Sequence, residues 1–452
     1  MQKPSIPEGT RDFSPQEVAR RSYIFDAIRT VFERYGYQPI ETPSFEKLST
    51  LTGKYGDEGD KLLFKILNNG DYLAKADAEA LESRNSAKLV SSIAGRGLRY
   101  DLTVPFARYV VMRQNEIAFP FKRYQIQLVW RGDSPQRGRY REFTQCDVDV
   151  VGSKSLTYEA ELIQIYDDVF AKLGIEVEIR VNNRKILEGM AEVAGCHDRL
   201  TDLTVAIDKL DKIGIEGVRK ELTNRGFSSE SIERVEQFLQ ATDRETLREQ
   251  LKSSEVGTLG MTELDAVYGY LADNSLQNTL VFDPTLARGL SYYTGFIVEV
   301  VATRVKMGSI GGGGRYDDLT GIFGLKNVSG VGISFGADRI YEVVKELDAF
   351  PKEALTQLTA LVVALDSDAH KYGFGVLTQL RRAGISSDLY PEPAKIGKQM
   401  KYADARGTQF TIIIGSNEVE TGQLSLKNMA TGAQQTLRVS EIIQMLSAGN
   451  ER

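Results

Sequence analysis

Two alternating runs joined by a basic loop constrain the fold of this chain more than any other feature of its sequence. Apolar and polar side chains alternate through residues 122–131 and again through 145–150. A period of two is typical of a β-strand with two different faces. The loop between them, residues 132–140, is polar and contains two arginines. The sequence therefore predicts a β-hairpin with a long basic loop, and a shorter alternating run at 99–104 predicts a further strand.

The polar faces of these three strands carry an unusual mixture of side chains. One interpretation is a face that is open to solvent, which is common in antiparallel sheets. Such faces usually carry lysine, glutamate and threonine, whereas aspartate, glutamine and arginine dominate here, and this mixture favours the floor of a binding site. The residues concerned are Arg99, Asp101, Thr103, Arg123, Gln125, Gln127, Arg131, Gln145, Asp147 and Asp149.

Residues 286–295, Leu-Ala-Arg-Gly-Leu-Ser-Tyr-Tyr-Thr-Gly, lie between two apolar runs. Arg288 is the important member, because arginine is seldom buried unless an anionic group meets it. The alternative is a tyrosine-rich turn with an exposed arginine. The decapeptide alone does not decide between a binding site and such a turn.

Two more segments follow in the same half of the chain. The glycine-rich run 308–318 lacks the Lys-Ser/Thr pair of a phosphate-binding P-loop, so that taken alone it predicts a flexible turn. Residues 330–336 have the pattern of a strand that leads directly into a helix. Arg339 then lies at the N-terminus of this helix, where the helix dipole also favours anions.

Composition and pattern divide the chain into two domains with a boundary near residues 347–357. The first domain is predicted to span residues 1–350. It includes a charged, aromatic-poor segment at about 184–267 that we interpret as a mostly helical insertion. The second, residues 356–452, has the pattern of a small α/β domain. One of its predicted helices carries a basic cluster, interpreted either as a solvated face or as an RNA-binding patch: Lys395, Lys398, Lys401 and Arg406.

Local signals place several elements within these domains. A capping box at Ser14–Glu17, with proline at the first helical position, predicts a helix that ends at Gly36. In the second domain, apolar runs at 359–365 and 410–414 predict buried strands. The Thr431–Gly432 turn between two further runs predicts a hairpin.

Composition limits the classes of function. The net charge of −6 does not indicate a protein that coats nucleic acids. No apolar run approaches the roughly 18 residues of a membrane span, and the first residues lack a hydrophobic signal region. Cys146, Cys196, His197 and His370 show no metal-ligand spacing, so no metal site is predicted. Two cysteines indicate a cytosolic protein, and two histidines favour a reaction that needs no imidazole base.

Taken together and in this order, these features resemble the histidyl-tRNA synthetase family of class II aminoacyl-tRNA synthetases over nearly the whole chain. Arg288-Gly-Leu-Ser-Tyr-Tyr-Thr-Gly295 looks like the histidine-site signature of the family. Residues 131–145, ending Gly-Arg-Tyr-Arg-Glu-Phe-Thr-Gln, look like class II motif 2. Residues 12–43 are similar to motif 1 and residues 330–340 to motif 3. Leu98-Arg-Tyr-Asp-Leu-Thr103 looks like the substrate loop of the family in its Asp-Leu-Thr form.

The resemblance implies a fold and an assembly. The fold is α+β: a six-stranded antiparallel sheet with flanking helices and a helical insertion, followed by a C-terminal α/β anticodon-binding domain. It also implies a homodimer, with motif 1 in the interface. The polar strand faces would then form the floor of the active site.

The resemblance also assigns roles to individual residues. The α-amino group of histidine would be bound by Asp101, Thr103 and Gln145. Asp149 and either Tyr292 or Tyr293 would read the two imidazole nitrogens. The backbone of Leu102 and of Gly311–Gly313 would line the pocket. Arg131 and Arg288 would be catalytic, at the α-phosphate and the substrate carboxylate. Arg139 and Arg339 would bind the ATP phosphates, and Phe143 would stack against the adenine.

The implied reaction suits these residue types. ATP activates L-histidine, and the histidyl group then passes to the 3′ end of the histidine tRNA. The carboxylate of histidine is already ionised at pH 7, so that it attacks the α-phosphate without a base. The enzyme has to offset the negative charge that develops there, and arginine is suited to this task. Mg²⁺ would enter with ATP, without a dedicated protein cage.

Two other functions are compatible with such a fold. One is a regulatory, non-catalytic relative such as the synthetase-like subunit of ATP phosphoribosyltransferase. Such proteins typically lack the C-terminal domain and the Arg-Gly-Leu-x-Tyr-Tyr pattern, and this chain has both. The other is an RNA-binding or sensor protein without the reaction. The presence of Arg131, Arg288 and Arg339 argues against it.

Overall fold

The computed structural model describes residues 3–241, 243–287, 293–317, 319–351 and 358–448. The chain divides into two compact units, Met1–Pro351 and Lys352–Arg452. Each unit is described below by itself.

The described residues form strands and helices in both units. The strands are β1 (Gln38–Pro39), β2 (Phe45–Lys47), β3 (Lys65–Ile66), β4 (Arg96–Leu98), β5 (Phe121–Trp130), β6 (Glu142–Val151), β7 (Val177–Asn183), β8 (Thr279–Phe282), β9 (Phe296–Ala302), β10 (Gly311–Tyr316), β11 (Gly330–Gly336), β12 (Ala360–Ala364), β13 (Ser387–Leu389), β14 (Phe410–Ile414), β15 (Leu424–Asn428) and β16 (Gln434–Leu437). The helices are α1 (Pro15–Arg34), α2 (Leu48–Leu51), α3 (Gly56–Lys61), α4 (Ala78–Glu82), α5 (Ser86–Ile93), α6 (Thr103–Arg113), α7 (Thr157–Lys172), α8 (Arg184–Val193), α9 (Leu200–Ile207), α10 (Leu210–Asn224), α11 (Ser229–Leu239), α12 (Arg244–Leu251), α13 (Glu255–Leu271), α14 (Ala337–Glu346), α15 (Ser367–Arg382), α16 (Ile396–Ala405), α17 (Ser416–Thr421) and α18 (Val439–Ala448).

A sheet in the order β1-β5-β6-β11-β10-β9-β7-β8 forms the centre of the first unit. The six strands from β5 to β7 are antiparallel to their neighbours, while β1 and β8 add a parallel strand at each edge. The predicted α+β fold with a six-stranded antiparallel sheet is therefore confirmed. The predicted hairpin is β5–β6, and in it Arg123 lies opposite Asp149 and Gln125 opposite Asp147.

Helix α1 begins as its sequence predicts. The hydroxyl of Ser14 accepts a hydrogen bond from the backbone N–H of Glu17, whose carboxylate in turn accepts from the N–H of Ser14 at 2.7 Å. This reciprocal cap satisfies N–H groups that the first helical turn leaves free. Ile24, Ile28 and Phe32 lie on one side of the helix and are buried in the core of the first unit.

The predicted strand at 99–104 is wrong. Residues Arg96–Leu98 form β4 in a separate three-stranded sheet, and α6 begins at Thr103. The carboxylate of Asp101 accepts a hydrogen bond from the N–H of Val104 at 3.1 Å, which favours the first turn of a helix over an extended chain. Buried Arg99 donates to the carbonyl oxygens of Leu128 and Thr42, both at 2.7 Å, and joins this segment to the main sheet.

The glycine-rich run is also different from the flexible turn that it predicts in isolation. Its residues from 311 to 316 form β10, a central strand between β9 and β11. A Cβ atom at Gly311 would lie 2.7 Å from the ring of Tyr166, and one at Gly313 would lie 2.2 Å from the carbonyl oxygen of Gly332. Glycine is required here because neighbouring groups occupy the space of a side chain, not because the chain turns.

Helices dominate residues 184–271 of the first unit, where α8 to α13 follow one another. Within this group of helices, the most extensive packing is between α8 and α13. A Cβ atom at Gly189 would lie 2.4 Å from the Cα atom of Gly257, so that the two helices approach through backbone atoms. Such close approach is possible only with glycine at the crossing.

The second unit contains a five-stranded sheet in the order β13-β12-β14-β15-β16. Strands β13, β12 and β14 are parallel, and β15–β16 form an antiparallel hairpin. The strands predicted at 359–365 and 410–414 and the hairpin around Thr431–Gly432 are confirmed. Within the described ranges of the chain, no helix is both long enough and apolar enough to cross a membrane.

A buried ion pair on the first unit's sheet generates a stability prediction. Arg315 on β10 donates to both carboxylate oxygens of Glu159 on α7, at 2.5 and 2.8 Å, and both side chains are almost wholly buried. Arg315→Met would leave a buried carboxylate without its partner, and we expect a loss of about 3–5 kcal/mol in the free energy of unfolding. Urea unfolding followed by circular dichroism measures this loss. The control is Arg113→Met, which removes an exposed partner of Glu116 and should leave the unfolding midpoint unchanged. Equal midpoints for the two variants would contradict the prediction.

Candidate active site

A cavity of about 270 Å³ opens on the main sheet of the first unit, beside strands β6, β10 and β11 and the start of α14. Most of the residues assigned to the site by the resemblance line it. They are Asp101, Thr103, Arg131, Arg139, Phe143, Gln145, Asp149, Tyr293, Gly311, Gly312 and Arg339. Leu102 is buried and is not among the lining residues, and neither is Gly313. Arg288 and Tyr292 lie outside the described residues.

Three buried carboxylates, Asp101, Asp147 and Asp149, line the cavity and are called the acidic group below. Asp149 accepts a hydrogen bond from the hydroxyl of Tyr316 at 2.6 Å, and its other oxygen lies 2.7 Å from a guanidinium nitrogen of Arg123. Burial raises the pKa of Asp149, and the contacts with Arg123 and Tyr316 oppose this rise. These two contacts hold the carboxylate in one orientation.

Asp147 and Asp101 have different surroundings. Burial raises the pKa of Asp147 to about 7, with the negative charges of Asp149 and Asp101 adding to the rise and Arg123 opposing it. Asp101 accepts from the hydroxyl of Tyr55 at 3.0 Å and from the N–H of Val104. Burial raises the pKa of Asp101 as well, and the hydrogen bond from Val104 opposes the rise. Burial therefore disfavours the charged forms of all three carboxyls, and the cations that oppose this effect are Arg123 and Arg131.

Arg131, Arg139 and Arg339 also line the cavity and are called the basic group below. Burial lowers the pKa of the Arg339 guanidinium, and the positive charges of Arg139 and Arg131 lower it further. Arg339 donates to the carbonyl oxygens of Gly138 at 3.1 Å and Ser309 at 2.6 Å. Three cations held close together favour an anionic ligand such as a polyphosphate.

Arg131 joins the two groups. Its guanidinium donates to the carbonyl oxygen of Tyr100 at 3.1 Å and to the side-chain oxygen of Gln145 at 3.4 Å. It also lies over the ring of Tyr100 at 4.3 Å and near that of Phe143 at 5.2 Å. Its positive charge acts both on Asp101 and on Arg339. Arg131 is therefore placed between an acidic and a basic region of one cavity.

Asp338 fixes the position at which α14 enters the site. Its carboxylate accepts from Arg11 at 2.5 Å, from Arg21, and from the N–H of Thr144 at 3.1 Å. Arg11 also stacks on the ring of Tyr140 at 3.3 Å. These contacts connect the N-terminal segment and strand β6 to α14, the helix that carries Arg339.

Sequence reasoning missed several residues at this site. Asp147 was recognised on the polar face of its strand, but no role was assigned to it. Tyr316 and Ser334 line the cavity from β10 and β11, and Arg123 stands directly behind Asp149. The alternation of β5 places Arg123 on the polar face of the predicted strand, but neither this pattern nor the resemblance gives it a role. No sequence signal marks Tyr316, which follows a run of glycines.

Comparison with known proteins identifies the family. The family profile described as Histidyl-tRNA synthetase matches residues 9–75 and 71–340, and that described as Anticodon binding domain matches residues 359–448. The histidine–tRNA ligase of Porphyromonas gingivalis is 57% identical over 442 residues, covering 97% of each chain. That of Bacteroides fragilis is 54% identical over 450 residues, covering 98% of this chain and 99% of the relative.

A solved structure agrees with these matches. The crystal structure of histidyl-tRNA synthetase from Nostoc sp. PCC 7120 aligns with a TM-score of 0.83 and 30% identity, covering 99% of this chain and 100% of that one. The resemblance based on the sequence motifs is thus confirmed over the length of both units. The chain therefore belongs to the histidyl-tRNA synthetase family of aminoacyl-tRNA synthetases.

Proposed function

We propose that the cavity on the main sheet is where this chain activates L-histidine with ATP, before it transfers histidine to the 3′ end of the histidine tRNA. One observation carries the proposal: a single cavity is lined by both the acidic group and the basic group. Arg131, a member of the basic group, also acts on Asp101 of the acidic group. Histidine has a positive α-ammonium group and a negative carboxylate, and ATP is strongly anionic. Separate acidic and basic regions can bind these parts at the same time.

The acidic region would receive the amino acid. Asp101, Thr103 and Gln145 would bind the α-ammonium group, because a carboxylate, a hydroxyl and an amide oxygen can each accept an N–H. Asp149 would accept the N–H of the imidazole ring, and Tyr293 or Tyr292 would contact the other ring nitrogen. The backbone of Leu102 and of Gly311–Gly313 would shape the pocket.

The basic region would receive ATP. Arg139 and Arg339 would bind its phosphates, and Phe143 would stack on adenine. An oxygen of the histidine carboxylate attacks the α-phosphorus, the bond to the bridging oxygen of the β-phosphate breaks, and pyrophosphate leaves. Negative charge develops on the α-phosphate oxygens, and Arg131 and Arg288 would stabilise it. No proton has to be removed from the attacking carboxylate, and no residue is assigned as a base.

Mg²⁺ would accompany ATP and offset the charge of its phosphates. Among the residues that the structure describes, no group of three histidine, cysteine or carboxylate side chains could hold a metal ion. The ligands of Mg²⁺ would be mainly phosphate and water oxygens.

The remaining parts of the proposal concern the whole molecule. In the second step a ribose hydroxyl of the tRNA attacks the carbonyl carbon of the histidyl adenylate, and AMP leaves. Residues 1–350 would form the catalytic domain, with the helical insertion at 184–267, and residues 356–452 would bind the anticodon. The motif 1 resemblance supports a homodimer, and two buried free cysteines support a cytoplasmic location.

The first test is substrate specificity. Because the pocket would bond both imidazole nitrogens, we expect histidine alone among the standard amino acids to drive exchange of labelled pyrophosphate into ATP. A site built for such polar contacts rejects analogues that lack them by about 10⁴-fold. Asparagine and glutamine are the stringent controls, since both are polar and neutral. Comparable exchange with either of them would contradict the proposed specificity.

The second test concerns Arg131. Arg131→Ala should lower the turnover of pyrophosphate exchange by roughly 10²–10³ at saturating ATP and histidine, the effect of losing one donor to a transition state. Arg137→Ala is the matched control, because Arg137 belongs to the same loop but is exposed and paired with Glu346. We expect the control to retain wild-type turnover. If both variants turned over at the wild-type rate, Arg131 would have only a structural role.

The third test concerns the basic cluster of the second unit. Lys395, Lys398, Lys401 and Arg406 are all exposed around α16. Replacing all four with alanine should leave pyrophosphate exchange intact and strongly reduce aminoacylation. The salt dependence of tRNA binding should flatten, since each lost phosphate contact removes about 0.7–0.9 from the logarithmic slope. The control replaces Lys371 and Arg382, exposed on α15 of the same unit. Unchanged aminoacylation in the fourfold variant would place the tRNA contact elsewhere.

A further inference from the structure

Arg123 on β5 is a charged side chain in an unusual place. It is completely buried, and its guanidinium lies 2.7 Å from Asp149 and over the ring of Phe106 at 4.1 Å. Its Nη1 donates to Gln125 at 3.4 Å, but Nε and Nη2 have no aligned acceptor among the described residues. Arg123 does not line the cavity, so that it can act on a ligand only through its neighbours. Burying such a cation costs free energy unless charged or hydrogen-bonding partners compensate for it.

The neighbours of Arg123 that do line the cavity are Asp147 and Asp149, called the carboxylate pair below. They stand two residues apart on β6 and therefore on one face of the sheet. Arg123 is the cation in contact with this pair, and its charge acts on both members. The pair and Arg123 together carry two negative charges and one positive charge when all three are ionised.

Other groups that face the carboxylate pair contribute little to this balance. Asp101 from the turn before α6 adds a negative charge, and Arg99, bonded to Thr42 and Gln127, acts weakly on Asp147 from behind the sheet. Among the described residues, the neighbours Tyr37, Cys146, Tyr166 and Tyr316 have pKa values that burial raises well above the ordinary values, so they stay neutral. Of the described cations, Arg123 therefore opposes the negative charge of the pair most directly.

We propose that Arg123 is a specificity-determining positioning residue: by offsetting one charge of the carboxylate pair, it makes the side-chain subsite bind neutral imidazole and reject the imidazolium cation. This inference rests on the proposed function of the cavity. Without Arg123, the charge of Asp149 would be uncompensated and would favour the imidazolium cation over the neutral ring. The complex would then hold one proton more than it does with Arg123 present. The number of protons linked to histidine binding is therefore the quantity that Arg123 controls.

Proton linkage gives a clear expectation for the natural chain. Free histidine becomes an imidazolium as the pH falls through about 6.5. If only the neutral ring binds, the KM for histidine rises below this pH, by about tenfold for each further pH unit. The KM for ATP, measured in the same assays, should not follow this rise, because ATP does not contact the pair.

Three variants isolate the charge of Arg123 from its shape. Arg123→Met removes the charge, and we expect its KM for histidine to change by less than about twofold between pH 6.5 and 5.5, because the complex now retains the proton. Arg123→Lys keeps the charge and should keep the wild-type rise. Arg123→Met with Asp149→Asn restores the charge balance, because Asp147, whose pKa burial raises to about 7, is mostly protonated in this pH range and Asp149 carries the negative charge that Arg123 offsets. We expect it to recover the wild-type rise.

The experiment is pyrophosphate exchange from pH 5.5 to 8.5 on the full-length chain and the three variants, with folding checked by circular dichroism. Arg123→Met could unfold, because it leaves a buried carboxylate unpaired. The double variant leaves no such imbalance: a flat profile in it overturns the inference, and a wild-type profile in it supports the inference when Arg123→Met is flat. A wild-type profile in Arg123→Met would equally overturn the inference. If the natural chain shows no histidine-dependent exchange at all, it is the proposed function that fails.

Discussion

The burial of carboxylates in the middle of the main sheet is the constraint on which the first unit depends. Asp147 and Asp149 project from β6, the second strand of the antiparallel core, where water cannot solvate them. An ionised group in such a place requires a cation or hydrogen-bond donors. Arg123 on β5 and Tyr316 on β10 meet this requirement at Asp149. The guanidinium of Arg123 lies 2.7 Å from its carboxylate, and the hydroxyl of Tyr316 donates a hydrogen bond to it at 2.6 Å.

Gly332 on β11 meets the same constraint in a different way. It lies directly opposite Asp149 in the ladder, and a Cβ atom there would be 1.9 Å from the carboxylate oxygen. Any side chain at 332 would displace the carboxylate or the strand. Residues on three strands near β6, namely Arg123, Tyr316 and Gly332, are therefore matched to the carboxylate that β6 carries.

Much of the fold could be predicted from the sequence, because its signals are local. The cap at Ser14, the period of two in β5 and β6, and the apolar runs of the second unit each act within a few residues. The two failures have different causes. The run at 99–104 alternates, but the bond from Val104 to Asp101 starts a helix there. The glycines of β10 are required by groups on other elements, and no local pattern contains that information.

The site was predictable to the same extent. Its individual members could be found by strand alternation and by resemblance to the family, and most of them line one cavity. Their pairing could not be found, because the register of β5 against β6 decides that Arg123 stands beside Asp149. Burial also changes pKa values in a way that the sequence does not show. It raises the pKa of Asp147 to about 7.

The anchoring of Asp338 has a consequence for how the chain is made. This carboxylate at the start of α14 is bound by Arg11 and Arg21, which precede it by 327 and 317 positions. At the usual rates of synthesis, the N-terminal arginines leave the ribosome some tens of seconds before their partner is made. Until then, Arg11 and Arg21 lack this partner and α14 cannot bring Arg339 to the cavity. Nascent chains should therefore complete the lining of this cavity only when nearly the whole first unit has emerged.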